Sequence, residues 1–319
     1  MGEFLIMLRN VIMFVLLAIP GYLLVKTKLL KSSDSGVLTT ILLYLGLPFM
    51  ILVNTLNINI STDTVTGILL TVLIFILGEI ALILLSKIFS KFEPLEDQRR
   101  MARFCMIIPN NGLIGLPLAL ALFEGTTLSI VIVYVAVANV LTNVLWPTYG
   151  NYLLSGDKKH ISAKGLLTNF VFIAFILGVI LNLSGFSGDV RKIVVDYSNH
   201  LKGLVVGLSM TILGMKFAEI KITNLFTSIK VYYVSFVRLI LSPVLIIGVL
   251  LLVRYLVPIS NEIIIATYIT FSMPSAPIAP MLATKFGIDS KNSVLYASGT
   301  TLVSVITIPL LYLLLNLVI

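Results

Sequence analysis

Apolar residues run in blocks of about 20 along nearly the whole chain, separated by short clusters of charged residues or of Gly, Pro and Asn. As a helix, a block of that length covers a hydrocarbon core of about 30 Å. Cut at the separators, the pattern predicts ten spans, over 4–25, 36–55, 65–89, 101–123, 127–154, 166–184, 200–218, 229–256, 261–284 and 292–318. The predicted fold class is an all-α integral membrane protein, and no stretch remains to build a separate soluble domain. The first block, FLIMLRNVIMFVLLAIPGYLLV, has no basic leader and no small-residue cleavage signal after it, so it is read as an uncleaved span.

Two of the ten blocks are interrupted. The fourth contains PNNGLIGLP, residues 109–117. Pro109 and Pro117 lack an N–H, which deprives the carbonyls of Cys105 and Leu113 of their helical partners, and Gly112 and Gly115 loosen the helix between them. In the ninth block, MPSAPIAPM places Pro274, Pro277 and Pro280 opposite the carbonyls of Thr270, Met273 and Ala276. Each interrupted block is the fourth of a five-span half, and paired interruptions of this kind point to the binding site of a secondary transporter. An odd number of spans per half makes related halves inverted. Residues 1–155 are then a first repeat, 156–165 a connection and 166–319 a second repeat, with Pro117 and Phe123 corresponding to Pro280 and Phe286.

Unpaired backbone groups at mid-membrane depth persist only where they line a cavity or pack on protein, so the two broken helices are expected to cross. Free N–H groups and positive helix ends at such a crossing seat a carboxylate. The candidate substrate-binding residues are Asn110, Asn111, Gly112, Gly115, Asn143, Ser275 and Ala276. The simpler reading of these features is a packing kink whose freed carbonyls are satisfied locally by the asparagines.

Composition agrees with a membrane protein: 58% of residues are hydrophobic and 11% charged, with a mean hydropathy of +1.09. The net charge of +8 is spread between spans and forms no nucleic-acid-binding patch. Sixteen of the 22 Lys and Arg residues fall on the odd-numbered connections, which the positive-inside rule makes cytoplasmic. The expectation is a multi-pass protein of the plasma (cell) membrane with both termini outside. The single cysteine, Cys105, excludes an internal disulfide, and with only His160 and His200 no metal cluster is expected. No cofactor is implied, and no nucleophile, base and orienting group can be grouped, so an enzyme is not expected.

Glu79 in the third span and Arg238 in the eighth are the mid-span charges and hence suspects for function. Either they form a buried pair or Glu79 carries a coupling proton. Asn139 and Asn143, and Ser298, Thr300, Thr301 and Ser304, either line a path or join helices through hydrogen bonds. The stretches KFEPLEDQRR and SGDKKHISAK read as solvated connections.

GYLLVKTKLL, Pro48, PNNGLIGLP, RLILSP, MPSAPIAPMLATKFG and SGTTLVSVITIPLL together resemble the auxin efflux carrier family, over essentially the whole chain. That family includes plant auxin exporters and bacterial permeases for malate or malonate. The resemblance implies ten helices as two inverted five-helix repeats with broken crossing helices 4 and 9. It implies a scaffold of spans 1, 2, 6 and 7 that forms a homodimer, and a transport domain of spans 3, 4, 5, 8, 9 and 10. The implied crossover prolines are Pro117 with Pro280 or Pro277, the implied carboxylate contact is Asn110, and Glu79 stands roughly where an acidic residue supports the crossover. Unlike many plant members, this chain has only a short connection between spans 5 and 6, and no aromatic-ring pocket for auxin can be placed on it. The expected function is secondary transport of small organic anions, by efflux or exchange and an elevator-type movement. The alternatives are a sodium-coupled anion symporter of the bile-acid-carrier type and a non-transporting membrane ligand sensor.

Overall fold

The computed structural model describes residues 2–162, 169–219, 228–288 and 290–315, and over these the predicted apolar blocks fold as helices. In chain order they are α1 (Gly2–Lys26), α2 (Ser32–Asn57), α3 (Thr62–Phe92), α4 (Glu96–Ile107), α5 (Asn111–Phe123), α6 (Ile130–Ser155) and α7 (Phe170–Leu183). They continue with α8 (Gly188–Lys202), α9 (Leu204–Glu219), α10 (Ile229–Leu256), α11 (Asn261–Ser272), α12 (Ala279–Lys285) and α13 (Ser290–Leu315). Lys164 and Lys221, assigned to basic connections, lie outside the described residues, as do the first residues predicted for the sixth span and the last of the tenth.

Among the described residues, six helical stretches are long and apolar enough to cross a membrane: α2, α3, α6, α8 with α9, α10, and a part of α13. The broken blocks fall short because each is made of two half-helices. α4 has 12 residues, about 18 Å of helix, so it cannot reach across alone. The predicted span 200–218 is also revised: the helical stretch begins at Gly188, with the polar α8 ahead of the apolar α9. α8 has work for its charges. Arg191 donates to the Leu56 carbonyl (3.1 Å) and to Asn57 Oδ1 (3.1 Å), and Asn182 Nδ2 donates to the carbonyls of Thr55, Leu56 and Ile58 at 2.9–3.1 Å. These donors satisfy carbonyls at the end of α2 that have no partner within the helix.

Packing sorts the helices into two groups. α1 lies along α9, and α2 packs on α7 and α8. α1 and α9 touch backbone to backbone: a Cβ at Gly214 would collide with the Ala18 carbonyl, and one at Gly21 with the Thr211 carbonyl. Only glycine permits that approach, which lets two apolar helices gain dispersion contacts where lipid offers no hydrophobic drive. In the second group α6 packs against α3, α5 and α11, while α10 packs against α3, α11 and α13.

At the centre of the second group the two broken blocks cross. α4 ends before Pro109 and α11 before Pro274. The residue preceding each proline, Ile108 (φ −82°, ψ 113°) and Met273 (φ −73°, ψ 146°), is extended, as the clash with a following proline ring requires. The two extended strips form an isolated antiparallel bridge between Pro109 and Ser275, in which Asn110 N–H donates to the Pro274 carbonyl (2.8 Å) and Ala276 N–H to the Ile108 carbonyl (2.9 Å). The crossing is therefore at Pro109 and Ser275, not at Pro117 with Pro280 or Pro277. Pro280 is the second residue of α12, where a missing N–H is no loss. Pro117 follows a π turn at Asn111–Gly115, and Pro48 and Pro243 follow π turns at Leu42–Gly46 and Val237–Leu241. The wider turn absorbs the carbonyl that proline cannot serve, so the helix continues through it. Pro277 adjoins the bridge without being part of it.

Arg238 closes the crossing. Its side chain is fully buried; Nε donates to the Met273 carbonyl (2.7 Å), Nη1 to those of Met106 (3.2 Å) and Ile107 (3.1 Å), and Nη2 to those of Thr270 (3.3 Å) and Phe271 (3.4 Å). Met273 and Thr270 are two of the carbonyls that Pro277 and Pro274 leave without helical donors. One guanidinium thus caps the C-termini of α4 and α11 together, where its charge also meets both negative helix ends. Ser275 Oγ donates to the Cys105 carbonyl (2.6 Å), which Pro109 had orphaned, and Ser275 N–H donates to Thr300 Oγ1 (3.1 Å).

A second buried cluster ties this group together at one end. Glu93, assigned to a solvated connection on the sequence, is 1% exposed. It accepts from Lys230 Nζ (2.6 Å), Tyr233 Oη (2.8 Å) and Tyr296 Oη (2.7 Å), joining the α3–α4 connection to α10 and α13. Burial pushes the Glu93 carboxyl up, but the bonds from Lys230, Tyr296 and Tyr233 outweigh it and hold the group below its ordinary value.

Two measurements check this architecture. Arg238→Gln strands several buried carbonyls and is expected to lose more than about 3 kcal/mol of stability, with Arg238→Lys recovering only part because an ammonium lacks the planar fork; an unshifted thermal unfolding midpoint for the purified glutamine variant would refute the capping role. Because the folded-state pKa of Glu93 is depressed, its contribution is present at neutral pH and is lost as pH falls below the ordinary carboxylate value of about 4. The midpoint difference between native protein and Glu93→Gln should accordingly be largest at neutral pH and shrink on acidification.

Candidate functional site

The crossing leaves Asn110 at the start of α5, where it serves as the N-cap. Its Oδ1 accepts from Leu113 N–H (3.2 Å), and its own carbonyl accepts from Ile114 (3.3 Å) and Gly115 (3.2 Å) N–H. Tying Oδ1 to the helix turns the other end of the amide, the Nδ2 donor, away from it. Asn110 lines a cavity with two lobes that also share Ser35, Leu113, Lys216, Pro277 and Met281.

One lobe, of about 640 Å³, is walled by Tyr44, Trp146 and Phe170 together with the amides of Asn139, Asn143 and Asn169. The other, of about 500 Å³, is rich in hydroxyls: Ser32, Ser33, Ser209, Ser298 and Thr301. Both volumes suit a small organic ligand. The walls come from both packing groups: α2, α7 and α9 on one side, and α5, α6, α12 and α13 on the other. Among the described lining residues Lys216 is the one charged side chain.

Of the residues singled out on the sequence, Asn110, Gly112, Asn143 and Ala276 line the cavity, with Pro277 and, in the hydroxyl lobe, Pro280. Asn143 Oδ1 also accepts from Trp146 Nε1 at 3.4 Å. Asn111, Gly115 and Ser275 line neither lobe. Asn111 is fully buried, its Nδ2 donating to Thr142 Oγ1 (2.9 Å), and its Oδ1 has no partner. Gly115 packs on Met273, where a Cβ would stand 3.3 Å from its side chain, and Ser275 is consumed by the bridge. Thr300 joins helices as a hydrogen-bonding group, whereas Ser298 and Thr301 face the cavity.

Of the two readings of Glu79, the buried pair with Arg238 does not take the form of a contact ion pair. Both Glu79 carboxylate oxygens are buried without a hydrogen-bond partner, while Arg238 turns its donors to backbone carbonyls. The carbonyls win because an orphaned helix end in this interior cannot turn to water.

Lys216 and the aromatic wall were missed on the sequence. Lys216 falls at the end of a span and reads as part of the basic connection that follows, yet Ser209, Ile212, Leu213 and Lys216 all line the hydroxyl lobe and are spaced i, i+3, i+4, i+7, one face of α9. That spacing was legible, but which way the face looks was not.

A family model described as "Membrane transport protein" matches residues 6–312. An uncharacterized transporter of Methanothermobacter thermautotrophicus is 23% identical over 314 residues, covering 95% of this chain and 96% of that protein. Another uncharacterized transporter, of Methanocaldococcus jannaschii, is 25% identical over 291 residues, covering 88% of this chain and 90% of the other. These matches point to a transporter and not an enzyme, and several apolar spans make it a multi-pass membrane protein. With crossing half-helices beside a ligand-sized cavity and a family match that runs almost end to end, the chain belongs to the membrane transport protein family, that of the auxin efflux carriers.

Proposed function

We propose that the protein is a secondary carrier of small organic anions, which it exports or exchanges by elevator-type alternating access. The observation that carries this reading is the Asn110 amide, fixed by its own helix cap and lining a cavity that has one cation and no carboxylate among its described lining residues. A neutral donor beside one positive charge suits a carboxylate that must be both held and released.

In this reading ten spans form two inverted repeats, 1–155 and 166–319, joined by 156–165. The group containing α1, α2, α7, α8 and α9 is the scaffold, through which the protein dimerises, and the group built on the crossing moves. Support comes from the packing of α1 on α9 and of α2 on α7 and α8, apart from the contacts of α6 and α10 with the crossing helices. The cavity lies beside Ser32, Ser33 and Lys216, near the basic connections, which corresponds to an inward-facing state in the plasma membrane with both termini outside. Glu79, buried and without a hydrogen-bond partner, is the candidate to carry a coupling proton.

The test is counterflow of labelled malate, malonate and indole-3-acetate into preloaded proteoliposomes. At least one acid is expected to show saturable counterflow that falls by tenfold or more, an order-of-magnitude figure, in Asn110→Ala. Counterflow unaffected by that substitution would remove Asn110 from the site, and absence of counterflow for every acid would move weight to a ligand sensor. For an acid that is carried, Glu79→Gln should abolish stimulation by a pH gradient while leaving exchange at equal pH; an intact gradient response would reduce Glu79 to a structural role.

A further inference from the structure

We infer that Glu124 and Lys202 form a latch that closes the far end of the site, and that the group built on the crossing moves only after this pair opens. The inference rests on the carrier reading for that movement, whereas the closure is argued from the contacts of the fold. Glu124 is the C-cap of α5 and Lys202 the last residue of α8, and they form an ion pair. α5 packs on α6, in the group built on the crossing, and α8 packs on α2, in the other group. The pairs of Glu96 with Arg99 and Arg100, of Glu93 with Lys230 and of Asp189 with Lys192 each stay within one group.

A carboxylate at the C-terminus of a helix meets the negative end of the dipole and is disfavoured there. Gly125, at a φ of 71°, ends α5 directly behind Glu124 and so keeps it at that end. Lys202 offsets both the carboxylate and the helix end. The lysine needs its partner too, since its side chain is 11% exposed and a cation so withdrawn from water is costly alone. Glu124, at 50% exposed, keeps the pair partly screened and able to open.

Position along two helices gives the pair its role. On α5, Leu113, Leu116, Leu120 and Glu124 are spaced i, i+3, i+7, i+11 on one face; Leu113 lines both lobes of the cavity, and Leu116 and Leu120 are buried. α8 and α9 form one helical stretch, on which Lys202, Val205, Ser209 and Ile212 are spaced i, i+3, i+7, i+10. Ser209 and Ile212 line the hydroxyl lobe and Val205 is buried. α5 and α9 touch, so each wall passes from cavity lining through buried apolar side chains to one partner of the ion pair, about 20 Å along α5 from Asn110. The connection over 124–129 has no lysine or arginine, which puts the pair at the end opposite the basic connections. One end of the cavity is thereby shut by an apolar plug under an ion pair that spans the two groups.

A cysteine at Leu120, in a Cys105→Ser background, reports this closure without any knowledge of the ligand. In vesicles of known orientation, a sulfonated thiol reagent added from the side opposite the basic connections is expected to modify Leu120→Cys slowly while the pair is intact. Lys202→Glu sets two carboxylates against each other and should raise that rate about tenfold or more, and the milder Glu124→Gln should raise it in the same direction. Adding Glu124→Lys to Lys202→Glu restores the pair with its signs exchanged and should return the rate to near native. A rate unmoved by the single changes, or one that stays high in the exchanged pair, would overturn the latch. The need for opening is read from Lys202→Cys with Glu124→Cys in the same background: bridged by a short bifunctional maleimide, the protein should show counterflow of a carried acid about tenfold or more below that of protein capped with a monofunctional maleimide. Failure to bridge would contradict the contact, and equal counterflow in bridged and capped protein would contradict the need for opening. If no acid is carried, the carrier reading fails, and the Leu120→Cys rates still decide whether the pair closes that end.

Discussion

One guanidinium holds this structure open. A membrane interior offers no water to a broken helix, so two helices can stop halfway only if something buried accepts the role that the missing turn would have played. Arg238 does this for α4 and α11 together, five hydrogen bonds reaching carbonyls on both, with Ser275 and Ser242 serving the carbonyls of Cys105 and Phe271. Remove that set and the prolines become a cost with no offset. With it in place, the extended residues between the half-helices are free to pair with each other, and the bridge at Pro109 and Ser275 fixes how the broken blocks meet.

The polarity of the arrangement follows. Helix C-termini, negative ends, face the buried cation; the other end of the break opens on Asn110 and the cavity. Asn110 is both an element of the fold and the candidate ligand contact, because the oxygen that caps α5 decides where its nitrogen is presented. The opposite wall comes from α9, held against α1 at a backbone distance that only Gly21 and Gly214 allow. A site whose walls come from two separately packed groups is one that relative movement of those groups would open and close.

Much of this was legible in the sequence. Block length gave the helices, and the prolines gave both breaks, because absence of a donor is a local property that no tertiary context reverses. What periodicity could not supply was position in space. Pro117 and Pro109 look alike in the chain, yet a π turn rescues the helix at one and not at the other, so the crossing falls eight residues earlier than the matched prolines suggested. Arg238 and Glu79 were found as mid-span charges, but the partners of Arg238 are backbone carbonyls, which are invisible in a residue string. Lys216 was hidden for the opposite reason: a lysine at the end of an apolar block is normally solvated, and only the direction of the α9 face separates it from such residues. Glu93 was similarly taken as solvated, because nothing in KFEPLEDQRR announces that Lys230, Tyr233 and Tyr296 converge on it.

The proposed carrier function requires a ligand cavity at the helix crossing that is entered from the side of the basic connections. Leu113 lines both lobes beside Asn110, and the chain's single cysteine, Cys105, is fully buried. A Leu113→Cys reporter in a Cys105→Ser background, exposed in vesicles of known orientation to a sulfonated thiol reagent added from either side, measures that cavity directly. The account predicts modification from the side of the basic connections, slowed by indole-3-acetate, malonate or malate at saturating concentration. A reporter that stays unmodified, or that reacts from the opposite side alone and is indifferent to every acid, would contradict it.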